Sequence, residues 1–244
     1  MGSWYKDWFA SDFYLTVYSH RNDDDAGKFL DNVLKFVPAQ QGASVLDAAC
    51  GAGRHSIYMA SKGFRVTAFD LSEPLLARGE AKAKALDLDI KFFKGDLRFI
   101  GLKEKFDIIL NLFTSFGYFE SDDENFAFIR SAYNMMNEGG YFLFDYFNES
   151  YLKNHIVSRS EKEIEGIKIF EERSIKEGRI VKQISIEQNG VVNRFEESVK
   201  LYSPEEIISA FRSIGLKDIN KFGSYECGAF EPENSERLII IFRK

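Results

Sequence analysis

The segment Val45-Leu46-Asp47-Ala48-Ala49-Cys50-Gly51-Ala52-Gly53-Arg54-His55-Ser56 decides the fold. Its apolar first half predicts a buried strand, and residues 54–62 predict a helix that Gly63 ends. The glycines between the two elements let a ligand approach the backbone closely, and a helix N-terminus offers free amide groups. The segment therefore predicts a ligand-binding turn between a strand and a helix.

The next predicted strand, residues 65–69, is followed directly by Asp70. In a doubly wound sheet, the carboxyl ends of neighbouring strands meet beside the ligand crevice, where a carboxylate can accept both hydroxyls of a ribose. A dinucleotide-binding turn would have a third glycine where this chain has Ser56. Asp47, just before the turn, would repel a pyrophosphate but not an ammonium or sulfonium group.

Outward from this segment, short apolar strands alternate with helical patterns, which predicts a parallel sheet with crossover helices. Ser72, Ser121 and Ser203 are predicted helix caps, the last two in capping-box patterns. The predicted helices span residues 24–37, 54–62, 72–86 and 121–136, and the predicted strands span residues 44–49, 65–69, 90–94, 106–110 and 141–146.

The pattern changes after this region. Residues 164–175, 180–187 and 191–201 alternate with period two, and Asn189-Gly190 is a strong hairpin sequence. They predict a three-stranded antiparallel meander. A helix starting at Ser203 and two strands, 217–222 and 237–242, follow it, so the meander is an insertion. We expect an N-terminal lid segment at 1–23, the main α/β domain at 24–150 and 202–244, and the inserted meander at 151–201.

Composition restricts the class of protein. The chain has 244 residues, 45% hydrophobic and 29% charged, which is typical of a globular protein. A net charge of −6 argues against a protein that grips nucleic acid through its phosphates. The sequence has no apolar run long enough for a membrane span. Cys50 and Cys227 form no disulfide framework, so we expect a cytoplasmic protein.

Several motifs together resemble the class I S-adenosylmethionine-dependent methyltransferases, from about Asp24 to Lys244. Beside the Gly51 segment and Asp70, the matching motifs are Lys94-Gly95-Asp96-Leu97, Phe106-Asp107-Ile108-Ile109-Leu110-Asn111 and Asn137-Glu138-Gly139-Gly140-Tyr141. In the last motif, Asn-Glu replaces the usual Lys-Pro of the family. The resemblance implies a Rossmann-like, doubly wound sheet of seven mostly parallel strands with an antiparallel last strand.

The resemblance also implies S-adenosylmethionine as the cofactor and assigns roles to matched positions. Asp47 would hold the methionine amino end and Asp70 the ribose. Asp96 would bind the adenine amine and Leu97 the adenine face. The expected cofactor-binding residues are Asp47, Ala48, Cys50, Gly51, Gly53, Asp70, Leu71, Asp96, Leu97, Asn111 and Leu112.

The acceptor is less well defined by the sequence. Asn111-Leu112-Phe113-Thr114 lacks the two prolines of the amino-methylating nucleic-acid enzymes, and neither cysteine follows a proline. Asp145 and Asn148 are edge polar residues, and we expect no metal. Aromatic residues near the site predict a lid that excludes water. His20 is the candidate base or acceptor contact, and the candidate substrate residues are Tyr14, Tyr18, Arg21, Phe116, Tyr118 and Tyr146.

These patterns favour a methyltransferase acting on nitrogen or oxygen of a small-molecule acceptor, with no nucleic-acid or membrane partner. Two alternatives stay open at this point. One is an NAD-dependent oxidoreductase, and the other is a cofactor-binding interaction module without catalysis. We expect a monomer or a homodimer.

Overall fold

The segment around Gly51 joins a strand to a helix in the computed structural model, which describes residues 4–19 and 23–244. The strands are β1 Ser44–Ala48, β2 Arg65–Asp70, β3 Ile90–Lys94, β4 Phe106–Asn111, β5 Met136–Phe147, β6 Arg159–Ile164, β7 Ile167–Lys176, β8 Arg179–Gln188, β9 Val191–Lys200, β10 Lys217–Phe222 and β11 Arg237–Arg243. They form two separate sheets.

The larger sheet has seven strands in the order β10-β11-β5-β4-β1-β2-β3. Strand β11 runs antiparallel to both of its neighbours, and the other neighbouring strands are parallel. The strand order reverses between β1 and β4, which is where doubly wound sheets bind ligands. The predicted fold class is therefore confirmed, with the Gly51 segment at the reversal point.

Helices cover both faces of this sheet. Ser72 caps one helix, and Ser203 forms the predicted capping box of another, with Glu206 returning a bond to the Ser203 amide. No helix in residues 4–19 and 23–244 has both the length and the apolar character needed to cross a membrane. The helices are α1 Trp4–Ala10, α2 Phe13–Val17, α3 Asp23–Val33, α4 Arg54–Ser61, α5 Glu73–Ala85, α6 Asp122–Asn125, α7 Ala127–Met135, α8 Glu149–His155 and α9 Pro204–Ile214.

Alternating residues of the central strands fill two cores, one on each face of the sheet. In β1, Val45 joins the core beneath α3 and α4, whereas Leu46 joins the core beneath α7 and α9. The same alternation places Ile108 in the first core and Ile109 in the second. Because successive side chains of a strand point to opposite faces, a continuous apolar strand is buried on both sides.

Two helical regions differ from the sequence-based prediction. The helix expected over residues 121–136 is interrupted at Phe126, because the buried Asn125 side chain bonds to the backbone of Phe119 through both its oxygen and its nitrogen. The short helix α8 was not predicted at all. Neither feature can be recognised from the spacing of apolar residues. A single side-chain bond does not alter that spacing, and a helix of two turns is too short to show it.

The second sheet is antiparallel and has four strands, in the order β6-β7-β8-β9. The predicted meander of three strands is wrong by one strand, because Glu165-Gly166 forms a turn and residues 159–164 pair with β7. All three connections are two-residue turns with positive φ at both positions, as right-handed strand twist favours. These turns are Glu165-Gly166, Glu177-Gly178 and Asn189-Gly190.

Helices α1 and α2 pack on one face of this second sheet. Trp8 and Val17 are fully buried there, in one cluster with isoleucines of β7 and β8. The Trp8 indole Nε1 donates to Glu197 Oε1 at 2.6 Å. On the other side of α1, Ser72 Oγ donates to the Phe9 carbonyl at 2.6 Å. The N-terminal helices therefore contact both the inserted sheet and the β2–α5 junction.

Candidate active site

A cavity of about 1520 Å³ opens above the carboxyl ends of β1, β2 and β4. One side, the glycine wall, is formed by Asp47, Ala49, Cys50, Gly51 and Asp70. Another part of the lining, the four-strand wall, is formed by residues of α2, β8 and β9 and by the residue that follows α2, namely Tyr14, Tyr18, Ile180, Lys182, Glu197 and Val199. A cavity for one small ligand commonly measures roughly 300–1,000 Å³, so this one has room for two.

The glycine wall is built on a turn from Ala49 to Gly53, here called the glycine turn. Ala49, Gly51 and Gly53 all have left-handed backbone conformations, with φ of 57°, 57° and 75°. A methyl group placed on Gly51 would meet no atom within 4 Å, whereas one on Gly53 would lie 2.9 Å from the Phe92 ring. Gly53 thus permits tight packing behind the turn, and Gly51 leaves open space in front of it.

Asp70 fixes the glycine turn from the neighbouring strand. Its two oxygens accept hydrogen bonds from the amides of Gly51 and Ser72, both at 2.8 Å. Burial raises the pKa of this carboxyl, while the amides of Ser72 and Gly51 oppose the rise. A carboxylate oxygen can accept more than one bond, so both oxygens keep acceptor capacity for a ligand.

Asp47 lies below the glycine turn and is almost completely buried. It accepts a hydrogen bond from Ser56 Oγ at 2.5 Å. Burial raises the pKa of Asp47 to about 6, although the bond from Ser56 works against the rise. The position that lacks the third glycine of a dinucleotide turn thus supplies a hydroxyl that orients Asp47.

The structure brings only some of the predicted cofactor residues to the cavity. Asp47, Cys50, Gly51, Asp70 and Leu112 line it. Ala48 is buried in strand β1, and Gly53 lies behind the turn. Leu71, which follows Asp70, does not line the cavity.

Three further predicted cofactor residues lie outside the lining of this cavity. Both oxygens of Asp96 are bonded to the Arg98 guanidinium, at 2.7 to 3.1 Å. The Asn111 amide donates to the carbonyls of Ala48 and Ser115. Leu97 and Asn111 line a separate cavity of about 10 Å³.

The predicted substrate residues divide in the same way. Tyr14, Tyr18 and Tyr118 line the main cavity. Phe116 and Tyr146 do not, in contrast to the prediction, because both pack in the core beneath α7 and α9, where the Tyr146 hydroxyl donates to the Lys200 carbonyl. Buried aromatic residues near a strand end were predicted as site residues, but their rings point into the sheet core. His20 and Arg21 lie outside the described residues.

The four-strand wall contains charged groups that the sequence analysis missed. Lys182 and Glu197 face each other in the β8–β9 register, with Nζ and Oε2 2.7 Å apart. The Tyr18 hydroxyl donates to Glu197 Oε1 at 2.5 Å and also contacts the Lys182 ammonium. The sequence did contain one sign of these groups. Lys182 lies on the same face of its strand as the buried Ile184 and Ile186, where an apolar residue is expected.

A second left-handed turn follows β4 and also lines the cavity. Phe113 and Thr114, here called the clamped turn, have φ of 55° and 62° although neither is glycine. The Phe113 amide donates to Asp145 Oδ2 at 2.8 Å, and the Thr114 amide donates to the Asp145 carbonyl at 3.0 Å. Asp145, which the sequence predicts only as a polar residue at the strand edge, holds this turn.

Arg237 completes the arrangement around the clamped turn. Its guanidinium donates to Asp145 Oδ1 at 2.7 and 2.9 Å and to Thr114 Oγ1 at 2.9 Å. Asp145 is completely buried, and 18% of the Arg237 side chain is exposed. Arg237 was not predicted, because its role depends on a residue 92 positions away in the sequence.

The ring of Phe113 is enclosed by other side chains that line the cavity. The Arg54 guanidinium lies 3.8 Å from its centre, and Tyr225 stacks on it at 5.0 Å. His55 lies 5.0 Å away, is buried, and has no hydrogen-bond partner for Nε2. Burial, and secondarily the charge of Arg54, hold the pKa of His55 well below its usual value, so the ring is neutral.

Comparison with known proteins shows that this chain is similar to methyltransferases. A model of the methyltransferase domain matches residues 45–140, which include the glycine turn, Asp70 and the clamped turn. A protein of Geobacillus sp. (strain WCH70) described as a methyltransferase is 32% identical over 128 residues, which are 52% of this chain and 51% of that protein. The chain spans about half the length of the first curated relatives that it matches.

Other relatives match over most of the chain at lower identity. The dTDP-3-amino-3,4,6-trideoxy-alpha-D-glucopyranose N,N-dimethyltransferase of Streptomyces venezuelae is 24% identical over 85% of this chain and 90% of its own length. A solved S-adenosylmethionine-dependent methyltransferase from Clostridium acetobutylicum has a TM-score of 0.81 at 21% identity, covering 95% of both chains. That structural likeness establishes the fold.

The described residues fit the cofactor that this family uses. Gly51 leaves open space in front of the glycine turn, and the Asp70 oxygens there keep acceptor capacity. The buried carboxyl of Asp47 suits a cationic group. The resemblance found in the sequence is thus confirmed: residues 45–140 match a methyltransferase domain, and the chain is similar in sequence and fold to class I S-adenosylmethionine-dependent methyltransferases, whose cofactor is S-adenosylmethionine.

Proposed function

We propose that this protein transfers a methyl group from S-adenosylmethionine to a small-molecule acceptor, at an amine nitrogen. The observation that carries the proposal is the cavity with two unlike walls. The glycine wall has the shape and charge for the cofactor. The four-strand wall, built by an inserted sheet and the N-terminal helices, provides a separate surface for the acceptor.

Each polar group of the glycine wall binds a different part of the cofactor in this proposal. The carboxylate of Asp70 accepts the ribose hydroxyls, and Asp47 offers negative charge to the methionine ammonium. Gly51 leaves the backbone open to close approach. S-adenosylmethionine supplies, when bound, a methyl group attached to a positively charged sulfur.

Nitrogen is favoured over oxygen by the chemistry of the four-strand wall. A neutral amine attacks with its own lone pair, whereas an alcohol needs a base to remove its proton. The polar groups of this wall, Tyr18, Lys182 and Glu197, are already bonded to one another. The enzyme's contribution is then to align the acceptor and exclude water, which can supply much of the rate enhancement.

Helices α1 and α2 are part of this proposal as the cover of the acceptor space. Trp4, Phe9, Tyr14 and Tyr18 line the cavity, and Tyr118 faces them from the loop after β4. Aromatic faces attract a cationic or methylated amine. Amine acceptors are also what the names of two relatives indicate for those proteins, both of them dTDP-amino-sugar N,N-dimethyltransferases.

The deciding experiment combines binding and transfer. The purified protein is incubated with methyl-labelled S-adenosylmethionine and with dTDP-linked amino sugars, the matching hydroxyl sugars and a metabolite extract, and products are identified by mass spectrometry. Label on an amine supports the proposal. Label only on oxygen would overturn the choice of nitrogen, and no label on any acceptor would leave the cofactor-binding module as the better account.

Calorimetry separates the remaining alternative. S-adenosylhomocysteine and NAD are titrated into the wild type, and we expect binding of the first alone. NAD binding without a response to S-adenosylhomocysteine would support the oxidoreductase instead.

A further inference from the structure

We propose that Asp145 and Arg237 are positioning residues for methyl transfer: they hold the clamped turn, Phe113–Thr114, in the left-handed conformation that fixes where the acceptor lies. The inference rests on the proposed function for its link to methyl transfer. Its structural part, that a buried ion pair sets the conformation of this turn, stands on the geometry alone.

The first step is the backbone. Left-handed φ angles are unfavourable for residues with a Cβ, and more so for the β-branched Thr114 than for Phe113. Two such residues in succession need bonds from outside the turn to hold them. Asp145 supplies two of these bonds, accepting the Phe113 amide at its carboxylate and the Thr114 amide at its carbonyl.

The second step is the side chain of Arg237. One guanidinium nitrogen, Nη2, lies 2.7 Å from Asp145 Oδ1 and 2.9 Å from Thr114 Oγ1. It therefore joins the strand that holds the turn to the turn itself. A lysine could keep the charge beside Asp145, but it could not reproduce the planar set of donors that reaches both partners.

The third step is location. Phe113, Thr114 and Arg237 all line the cavity to which the glycine wall and the four-strand wall also belong. Phe113 is further held between the Arg54 guanidinium and the Tyr225 ring. Displacement of the turn would thus change the shape of the cavity while leaving the glycine turn in place, and small misalignments of reacting groups cost rate.

The test uses variants that keep size and, where possible, charge. Arg237→Lys and Thr114→Val each remove the bond between the guanidinium and the hydroxyl, whereas Thr114→Ser retains the hydroxyl. Arg212→Lys is the matched control, because Arg212 pairs with Asp218 on the surface, away from the cavity. Melting curves identify any variant that has lost its fold.

The first readout is hydrogen–deuterium exchange of the Phe113 and Thr114 amides, measured by NMR. We expect exchange about fivefold faster or more in Arg237→Lys and Thr114→Val, and slower exchange restored in Thr114→Ser. Exchange equal to that of the wild type and of Arg212→Lys would overturn the clamp. This readout does not depend on catalysis, so it decides the structural part even if the wild type methylates nothing.

The second readout is methyl transfer to a dTDP-linked 3-amino sugar, with S-adenosylhomocysteine affinity measured in parallel. We expect kcat to fall about tenfold in Arg237→Lys and Thr114→Val, with affinity for S-adenosylhomocysteine within twofold of wild type. The double variant should lose little more than either single one, because both remove the same bond. An additive loss, or a loss confined to cofactor affinity, would contradict the positioning role. A wild type inactive on this probe counts against the proposed function and removes the link to catalysis.

Discussion

The glycine turn and the clamped turn are two solutions to one problem. Both follow neighbouring parallel strands, β1 and β4, and both need left-handed backbone at the edge of the cavity. At two of its three left-handed positions, the glycine turn carries residues without a Cβ, so the conformation costs little locally. The clamped turn keeps its side chains and is held instead by Asp145 and Arg237.

The difference shows what each turn provides. Where a ligand approaches the backbone itself, as beside Gly51, a side chain would fill the space that the ligand needs. Where side chains form the surface, as with Phe113 and Thr114, glycine cannot serve and the strain must be offset elsewhere. The first turn therefore gains its left-handed conformation mainly from its own glycines, with one bond to Asp70 of the next strand, whereas the second depends on residues much further away in the chain.

The largest test of this comparison is Asp145→Ala. The substitution leaves the Arg237 charge without its partner and removes the acceptor for the Phe113 amide. Breaking a buried pair in this way costs about 3–5 kcal/mol, so we expect that loss in the free energy of unfolding measured with denaturant. Asp218→Ala breaks the exposed pair with Arg212 and should cost under about 1 kcal/mol. Equal losses in the two variants would show that the clamp contributes no more than a surface pair.

The second test concerns the carboxyl beneath the glycine turn. The pKa of Asp47 is raised to about 6 in the folded protein, so the folded state keeps a proton that the unfolded state has released. The free energy of unfolding should fall by about 3 kcal/mol as pH rises from about 4 to 6, and this group should add no further slope above that range.

Asp47→Asn should remove this slope, as measured by denaturant unfolding across the pH range. Asp107 gives the opposite contrast, because bonds from Ser44 and Asn137 outweigh its burial and lower its pKa. In the wild type, the ionised Asp107 carboxylate stabilises the folded protein, and this contribution is lost as pH falls. Asp107→Asn should therefore lower the free energy of unfolding near neutral pH and remove this loss at low pH. If Asp47→Asn leaves the pH dependence of the unfolding free energy unchanged, the pKa of Asp47 is not raised in the folded protein.

The third test is Asp70→Asn, which keeps the size of the side chain but removes its charge. Hydrogen bonds to a charged group contribute roughly 1.5–3 kcal/mol, so affinity for S-adenosylhomocysteine should fall about ten- to a hundredfold in calorimetry. Asp89→Asn, at an exposed position before β3, is the control and should bind as the wild type does. Unchanged affinity in a folded Asp70→Asn protein would remove this residue from the cofactor site.

The test with the smallest expected effect compares alanine substitutions at two glycines, Gly51 and Gly42. Gly51 and Gly42 both have positive φ, and a methyl group on either would meet no atom within 4 Å. Alanine at either position should cost about 1–2 kcal/mol of stability through the left-handed backbone. Only Gly51→Ala places its methyl group in the cavity, so only that variant should lose affinity for S-adenosylhomocysteine, about tenfold. Equal affinities would show that the cofactor does not lie against the turn.

The sequence predicted the structural features that depend on residues close together in the chain. The glycine turn, the capping box at Ser203 and the hairpin at Asn189-Gly190 depend on a few consecutive residues, and the structure shows all three. The seven-stranded sheet followed from the alternation of strands and helices and from the family resemblance.

The missed features depend on partners distant in sequence. Arg237 binds Asp145 across 92 positions, and Lys182 faces Glu197 only once β8 and β9 pair. Phe116 and Tyr146 were misplaced for the same reason, since the strand-end position of a ring does not reveal which face it occupies. The sequence pattern thus located the strand ends, and tertiary packing selected the side chains that reach the cavity.

The docking of Trp8 on Glu197 has a consequence for synthesis. The two residues are 189 positions apart, so a ribosome adding roughly 5–20 residues per second needs about 10 to 40 s between them. During that interval the aromatic helix α1 has no inserted sheet to pack against. The indole of Trp8 therefore lacks its hydrogen-bond partner on the nascent chain until β9 is made.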